Sequence, residues 1–328
     1  MAGRRKTRVE FVLAALLLAV PAWPQSPATE LVKQGTDYLS KGDYAHAIEA
    51  YTNAIRLDPG SATAFYGRGY THYLNQDDDL AIQDYTDAIQ LQPNYGQALR
   101  ERGLAYEDKN EYDLAIQDYT RAISVGLEDS NLLYYRAFDN ERRGEYVPAI
   151  TDLTEVIRRF PRAADAYRNR GLARLYSTHV VEAKQDLRQA VKLDPSGYYS
   201  VIWLYIASAK GETAAEGELA ENAAKLDLTR WPGPVIQLFL DKSTPEEVLR
   251  AASDKEPVKN SDLQCEANFY IAEHRALHGQ LSAAMQGFYF ASEKCNKNYF
   301  LYVPAAWAEL KNKWSGPFCR KCGILFPL

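Results

Sequence analysis

Cysteine is absent from the first 264 residues of this 328-residue chain, which holds four in all, beginning at Cys265. A lipidated bacterial protein needs a cysteine just after its N-terminal apolar run, so no lipid anchor is expected. Methionine occurs only twice, which excludes a methionine-lined promiscuous groove. Excess positive charge is also missing: 38 Lys and Arg face 43 Asp and Glu, for a net charge of −5. Phosphate backbones need a basic face, so nucleic acid is not an expected partner. Long apolar runs are lacking as well. Phe11–Val20 is apolar for ten residues, whereas about 20 are needed to span a bilayer.

Histidine is scarce. Of His46, His72, His179, His274 and His278, only the last two stand four apart. Glu273 precedes the first of them, which is not the HExxH order of zinc proteases. They read as solvated helical histidines, and His72 as a packing position. No nucleophile–base arrangement, phosphate loop or glycine-rich nucleotide fingerprint appears. No catalytic residue, metal or cofactor is expected, and the chain does not read as an enzyme.

What is present is a period. Gly35, Gly69, Gly103 and Gly171 lie on a 34-residue grid, with Ala137 at the intervening step. Ala47, Ala81, Ala115, Ala149 and Ala183 follow twelve residues later, then Tyr51, Tyr85, Tyr119, Leu153 and Leu187. Pro59, Pro93, Pro161 and Pro195 close four of the five units. Within each unit two stretches carry apolar residues at helical spacing, split by a polar turn such as Asn75–Asp79. The small residues mark where the two helices cross closely, and the proline ends the second one. This pattern is the tetratricopeptide signature. The expected fold is all-α: a superhelical tetratricopeptide-repeat solenoid of α-α hairpins with a C-terminal helical extension.

The organisation follows from the grid. Arg4, Arg5, Lys6 and Arg8 precede the apolar run, and small residues follow it, so residues 1–28 read as an export signal cleaved after Ala22 or Ala28. An uncleaved inner-membrane anchor is the alternative, with the apolar stretch continuing to Trp23. Residues 29–197 hold five repeats, and 198–230 a degenerate helix pair. The breaker cluster Trp231-Pro232-Gly233-Pro234 opens a helical region over 231–314. There the register resumes at 265–298, with Ala272 and Ala284 as the small residues and Phe288 as the aromatic. Residues 315–328 change character abruptly and read as a disordered extension or an altered reading frame. Within that tail Cys319-x-x-Cys322 resembles half of a zinc ribbon, but no second ligand pair stands ready.

Two sets of site residues emerge. The first is structural. Arg68, Arg102, Arg136 and Arg170 stand one residue before the small position of the first helix. Asp84, Asp118, Asp152 and Asp186 stand three after that of the second. Pairing within each repeat leaves none unmatched, so four Arg–Asp contacts are expected, each contributing at most about 1 kcal/mol if partly exposed. Solvated charges that merely recur by duplication are the alternative. The second set is the concave face, formed by first-helix residues not used against the second helix. It comprises Tyr66, Tyr70 and Tyr73, then Arg100, Glu101 and Glu107. Tyr134, Tyr135 and Phe138 follow, then Arg168, Asn169 and Leu172. Tyrosines give broad contact area with a polar handle and suit peptide or protein recognition. Alternatively, some of these rings close against the C-terminal part of the same chain. Cys265 and Cys295 fall at the start of one helix and the end of its antiparallel neighbour. A disulfide there is geometrically possible and would stabilise by about 3 kcal/mol; two free buried thiols are the other reading.

Over about residues 28–312 the layout resembles the NlpI-type periplasmic tetratricopeptide proteins, with the part after Trp231 separating them from other arrays. The resemblance rests on Trp231-Pro232-Gly233-Pro234 after a degenerate repeat, Asn268-Phe269-Tyr270 opening the final helix pair, and Glu309-Leu310 ending the last helix. It implies a periplasmic, non-enzymatic adaptor that dimerises and brings an envelope processing protease together with peptidoglycan (murein) hydrolases. A structural scaffold subunit of a secretion or outer-membrane assembly complex is the alternative function.

Overall fold

A computed structural model describes residues 26–129, 131–209, 214–253 and 257–294, with short stretches at 318–319 and 324–325. Residues 1–25 of the expected export signal, and Cys295 and Cys322, lie outside the described residues, as does the expected last helix from Tyr299 to Lys313. The chain is all-α in class, with a two-residue antiparallel ladder in the tail, Phe318–Cys319 (β1) against Ile324–Leu325 (β2).

The first repeats are helix pairs: α1 (Pro27–Ser40) with α2 (Tyr44–Leu57), α3 (Ala62–Leu74) with α4 (Asp78–Leu91), and α5 (Gly96–Asp108) with α6 (Tyr112–Ser124). Next come α7 (Leu132–Arg142), α8 (Tyr146–Arg159), α9 (Ala164–Tyr176) and α10 (Val180–Leu193). The C-terminal helices are α11 (Tyr198–Ala209), α12 (Ala215–Ala223), α13 (Gly233–Phe239), α14 (Pro245–Ala251), α15 (Pro257–Leu277) and α16 (Leu281–Lys294). Two compact units divide the chain, Met1–Asp139 and Asn140–Leu328. The division falls within α7, inside the fourth repeat. α1 begins at Pro27, before the boundary expected after residue 28. Ser26 caps it by accepting the Thr29 N–H at 3.2 Å, and Ala28 is already buried.

Four of the five repeats close on a glycine. A methyl in place of the Gly35 hydrogen would lie 2.8 Å from Tyr51 Cε1, and one at Gly103 2.6 Å from Tyr119 Cε1. Tyr51, Tyr85 and Tyr119 are fully buried in the core of the first unit. Tyr51 also reaches the next repeat, where Gly67 leaves room for its ring. Its hydroxyl donates to Thr36 Oγ1 at 3.1 Å, since Thr36 itself donates to the Val32 carbonyl. In the second unit the same crossing sets Gly171 against Leu187.

The turn between the two helices of a repeat is built alike five times. Gly42, Gln76, Asn110, Gly144 and Thr178, on the 34-residue grid, all have positive φ between 55° and 80°, at 74°, 71°, 62°, 75° and 68°. The following N–H reaches back to close a Schellman turn, as in Asp43 to the Tyr38 carbonyl (3.0 Å) and His179 to the Arg174 carbonyl (2.8 Å). Glycine fills this position in only two repeats, so side chains bear left-handed strain in the other three.

The Arg–Asp contacts are bidentate. Arg68 donates to both Asp84 oxygens (2.9 and 2.7 Å), Arg102 to those of Asp118 (2.7 and 2.8 Å), and Arg170 to those of Asp186 (2.8 and 2.7 Å). The remaining guanidinium nitrogen reaches the preceding repeat. Arg68 donates to Thr52 (3.1 Å), Arg102 to Thr86 (2.9 Å), Arg136 to Thr120 (3.0 Å) and Arg170 to Thr154 (3.1 Å). Arg68, Arg102 and Arg170 therefore each tie their own helix pair and also the joint before it. Asp84, Asp118, Asp152 and Asp186 are all buried. The carboxylates are buried and the arginines half-buried, so removing an arginine leaves a carboxylate stranded in the core.

In the C-terminal region, α11 is buried along almost its whole length, Ser200 to Ser208. Its Trp203 ring lies 5.8 Å from Phe269 and 5.9 Å from Tyr270 of α15. Trp231 donates its indole N–H to Glu266 (3.1 Å), which fixes the breaker cluster on the same helix. Thr244 and Glu247 form a capping box that starts α14. α15 and α16 cross at Ala272 and Gly287, with Ala284 and Phe288 buried beside them.

Two outcomes are expected. Arg102→Ala will cost about 3 kcal/mol or more in urea unfolding, and adding Asp118→Ala will recover part of that; a loss under about 1 kcal/mol for the single variant contradicts the buried-pair account. Thr178→Gly will raise stability by about 1 kcal/mol, because relief of the left-handed cost outweighs glycine's chain entropy. Thermal melting of the single variant reads this directly.

Candidate binding surface

The tyrosines of α3 do not form an open wall. Tyr66 and Tyr70 are 0% exposed and Tyr73 is buried, which corrects their assignment to a binding face. The reason lies in the packing. A first helix meets its own second helix, but also the first helix of the next repeat, and α3 packs on α5 in this way. Tyr66 lies 5.0 Å from the Tyr95 ring and 5.9 Å from Tyr85. Burial pushes the Tyr66 and Tyr85 phenols well above the ordinary tyrosine range. Tyr73 donates its hydroxyl to Asp108 of α5 at 2.9 Å.

Repeat three has a glutamate, Glu101, where repeat two has Gly67. Glu101 is fully buried, and Glu107 nearly so, so neither belongs to an accessible face. Arg100 donates to Glu101 Oε1 through Nε (2.8 Å) and to Asp129 Oδ2 through Nη1 (3.0 Å). Burial opposes the guanidinium's charge, yet Glu101 and Asp129 hold it protonated well above its ordinary value. Glu107 accepts the Tyr119 hydroxyl at 3.2 Å. Arg100 and Glu101 thus form an internal ion pair of the array.

What stays partly open is on later helices. Tyr134, Tyr135 and Phe138 of α7 are half-buried, with Tyr135 tilted over the Tyr119 ring at 5.6 Å. In the second unit, Arg168 and Asn169 of α9 are half-buried, whereas Leu172 is buried. Arg168 pairs with Asp165 at 2.5 Å. Nearby, Glu141 is buried, and its carboxyl is raised to about 8 by burial, against the lowering influence of Arg168.

Among the described residues no cysteine is free. Cys265 is buried on α15; because Cys295 lies outside the described residues, their pairing stands as a proposal. Among the histidines, His46 pairs with Asp43 at 2.7 Å, and His72 sits half-buried 3.9 Å from Asp84. The fold brings Asp241 beside His274 and His278, a meeting that the sequence spacing did not show. His274 is held below the ordinary histidine range by burial and by His278, against the pull of Asp241.

These helix pairs have known counterparts. The tetratricopeptide-repeat family matches residues 32–96, 79–131 and 141–198. A tetratricopeptide repeat protein from Parabacteroides merdae is similar in fold with a TM-score of 0.54 at 15% identity, covering 85% of this chain and 98% of that one. The C-terminal part of a repeat protein from Cytophaga hutchinsonii gives 0.53 at 18% identity, over 82% and 97% of the two chains. YrrB, described as a tetratricopeptide protein with an unusual peptide-binding site, gives 0.50 at 21% identity, covering 53% of this chain and 90% of YrrB. Residues 32–131 and 141–198 thus carry tetratricopeptide repeats, in an all-α fold. Its repeats make it a scaffold for protein–protein interaction. No helix among the described residues is long and apolar enough to cross a membrane.

Glu141 supplies a pH test. A carboxyl raised from 4.5 to about 8 holds a proton in the folded chain that the unfolded chain releases. Stability therefore falls as pH rises through that window, by at most about 5 kcal/mol. Glu141→Gln should melt above the parent at pH 8–9 and with it near pH 4.5. Equal melting differences at both pH values would show that Glu141 does not titrate in this window.

Proposed function

We propose that this chain is an exported, periplasmic adaptor that holds other proteins on its helix pairs. On the resemblance after Trp231, those proteins are an envelope processing protease and peptidoglycan hydrolases. The observation that carries this reading is the contrast along the array. The tyrosines of repeat two are sealed inside, while Tyr134, Tyr135 and Phe138 keep part of their rings accessible on α7. Half-exposed aromatics on a rigid helix are suited to anchoring a peptide, because they bury area at little entropy cost. YrrB's printed description, a peptide-binding site on the same fold, supports the class of ligand. The basic start and ten-residue apolar run support export.

The test is cross-linking in cells followed by affinity recovery of the full chain and mass spectrometric identification. A processing protease or a murein hydrolase is expected with the parent chain. The Tyr134→Ala, Phe138→Ala double variant should recover about tenfold less, consistent with losing interface anchors. Components of a secretion or outer-membrane assembly machine, recovered in their place, would overturn the adaptor reading. Undiminished recovery with the double variant would overturn the assignment of α7.

A further inference from the structure

A second site lies in the C-terminal region, where the turn after α13 meets one face of α15. Asp241, His274 and His278 each offer a ligand atom there, all within 4.8 Å of one another. His274 Nε2 is 3.4 Å from Asp241 Oδ1, and His278 Nε2 is 3.8 Å from the same oxygen. Ligand bonds of about 2.0–2.1 Å around a tetrahedral Zn²⁺ place donor atoms about 3.3 Å apart. The observed separations are already close to that. The two histidines are four residues apart on α15, so their rings lie along one face, tilted to each other with centroids 4.2 Å apart.

Three further features aim these groups. His278 Nδ1 lies 2.9 Å from the His274 carbonyl. A carbonyl only accepts, so Nδ1 carries the proton and Nε2 turns its lone pair toward Asp241. Metal-bound imidazoles are oriented by this kind of hydrogen bond. The His274 side chain is only 14% exposed and packs against Phe239, with ring centroids 6.0 Å apart, which limits its rotation. Asp241 has φ 55°, and its turn is closed by its own N–H on the Leu238 carbonyl (3.0 Å) and by Lys242 N–H on the Gln237 carbonyl (2.8 Å). That turn directs the carboxylate at the histidines and leaves it 71% exposed.

We propose that Asp241, His274 and His278 bind Zn²⁺ as three protein ligands of a four-coordinate site. The ion would staple the α13 turn to α15. The fourth position, on the exposed carboxylate side, stays open to water or to a donor from a bound protein. Two nitrogens and one carboxylate oxygen match the donors zinc takes in sites that keep an open position. The proposal does not rest on the adaptor reading, since it concerns one turn and one helix.

The test is calorimetric titration of Zn²⁺ into the full, chelator-treated chain, beside its Cys319→Ser, Cys322→Ser variant. Both are expected to bind one equivalent at this site and to melt higher with the metal. Co²⁺ in its place should give the visible absorption of a four-coordinate centre. Asp241→Asn and His278→Gln alter exposed groups. Each should weaken binding at least tenfold while leaving the metal-free melting temperature unchanged; His46→Ala should bind as the parent does. The proposal is overturned if the parent shows no saturable site. It also fails if both ligand variants bind as tightly as the parent, or if binding disappears with the two tail cysteines while the triad is intact.

Discussion

Close helix crossing is the constraint from which the rest of this structure follows. Where Gly35, Gly69 and Gly103 face the following helix, no atom larger than hydrogen fits without displacing a buried tyrosine ring or its neighbour. The ring in turn fills the gap between one repeat and the next, as Tyr51 does at Gly67. Once the crossing height is set, a residue one before the glycine and a residue three beyond the small position opposite must stand side by side. That is why arginine and aspartate sixteen residues apart meet with two hydrogen bonds in repeats two, three and five.

The charges then do more than decorate a surface. Each arginine spends its third contact on a threonine of the preceding repeat, so one side chain reports on two joints at once. Thr86 and Thr154 donate their own protons to the carbonyl four residues back, at 2.7 Å, which leaves a lone pair for the arginine. Ion pairs buried in this way are weak sources of net stability. Their value is in geometry: a repeat that slid or rotated would strand a carboxylate in an apolar seam. Neighbouring repeats braced like this hold their side chains in fixed relation to one another, which is what an interaction scaffold requires.

Much of this was legible before any coordinates. Small residues, rings and prolines on one grid gave the helix pairs and their crossing points, because these are local demands of packing and chain termination. The threonine row at 52, 86, 120 and 154 shares that grid, yet its meaning appears only when the arginine is seen to reach backwards. The left-handed turn position was hidden for a different reason. Glutamine, asparagine and threonine occupy it in three repeats, and none of them announces positive φ as glycine does. The concave face was misjudged at Tyr66, Tyr70, Tyr73, Glu101 and Glu107, since a helical wheel shows which side faces a helix's partner but not what its second neighbour covers.

The sequence by itself determined the class of fold, the crossing residues and the Arg–Asp partners in repeats two, three and five. All of these are set by spacing along one period. Tertiary structure decided which tyrosines are core and which remain reachable. It also decided that the aspartates are buried, and that Asp241 meets two histidines more than thirty residues away. Such outcomes depend on how separate helices stack, and stacking brings together residues whose distance in the chain carries no information about their distance in space.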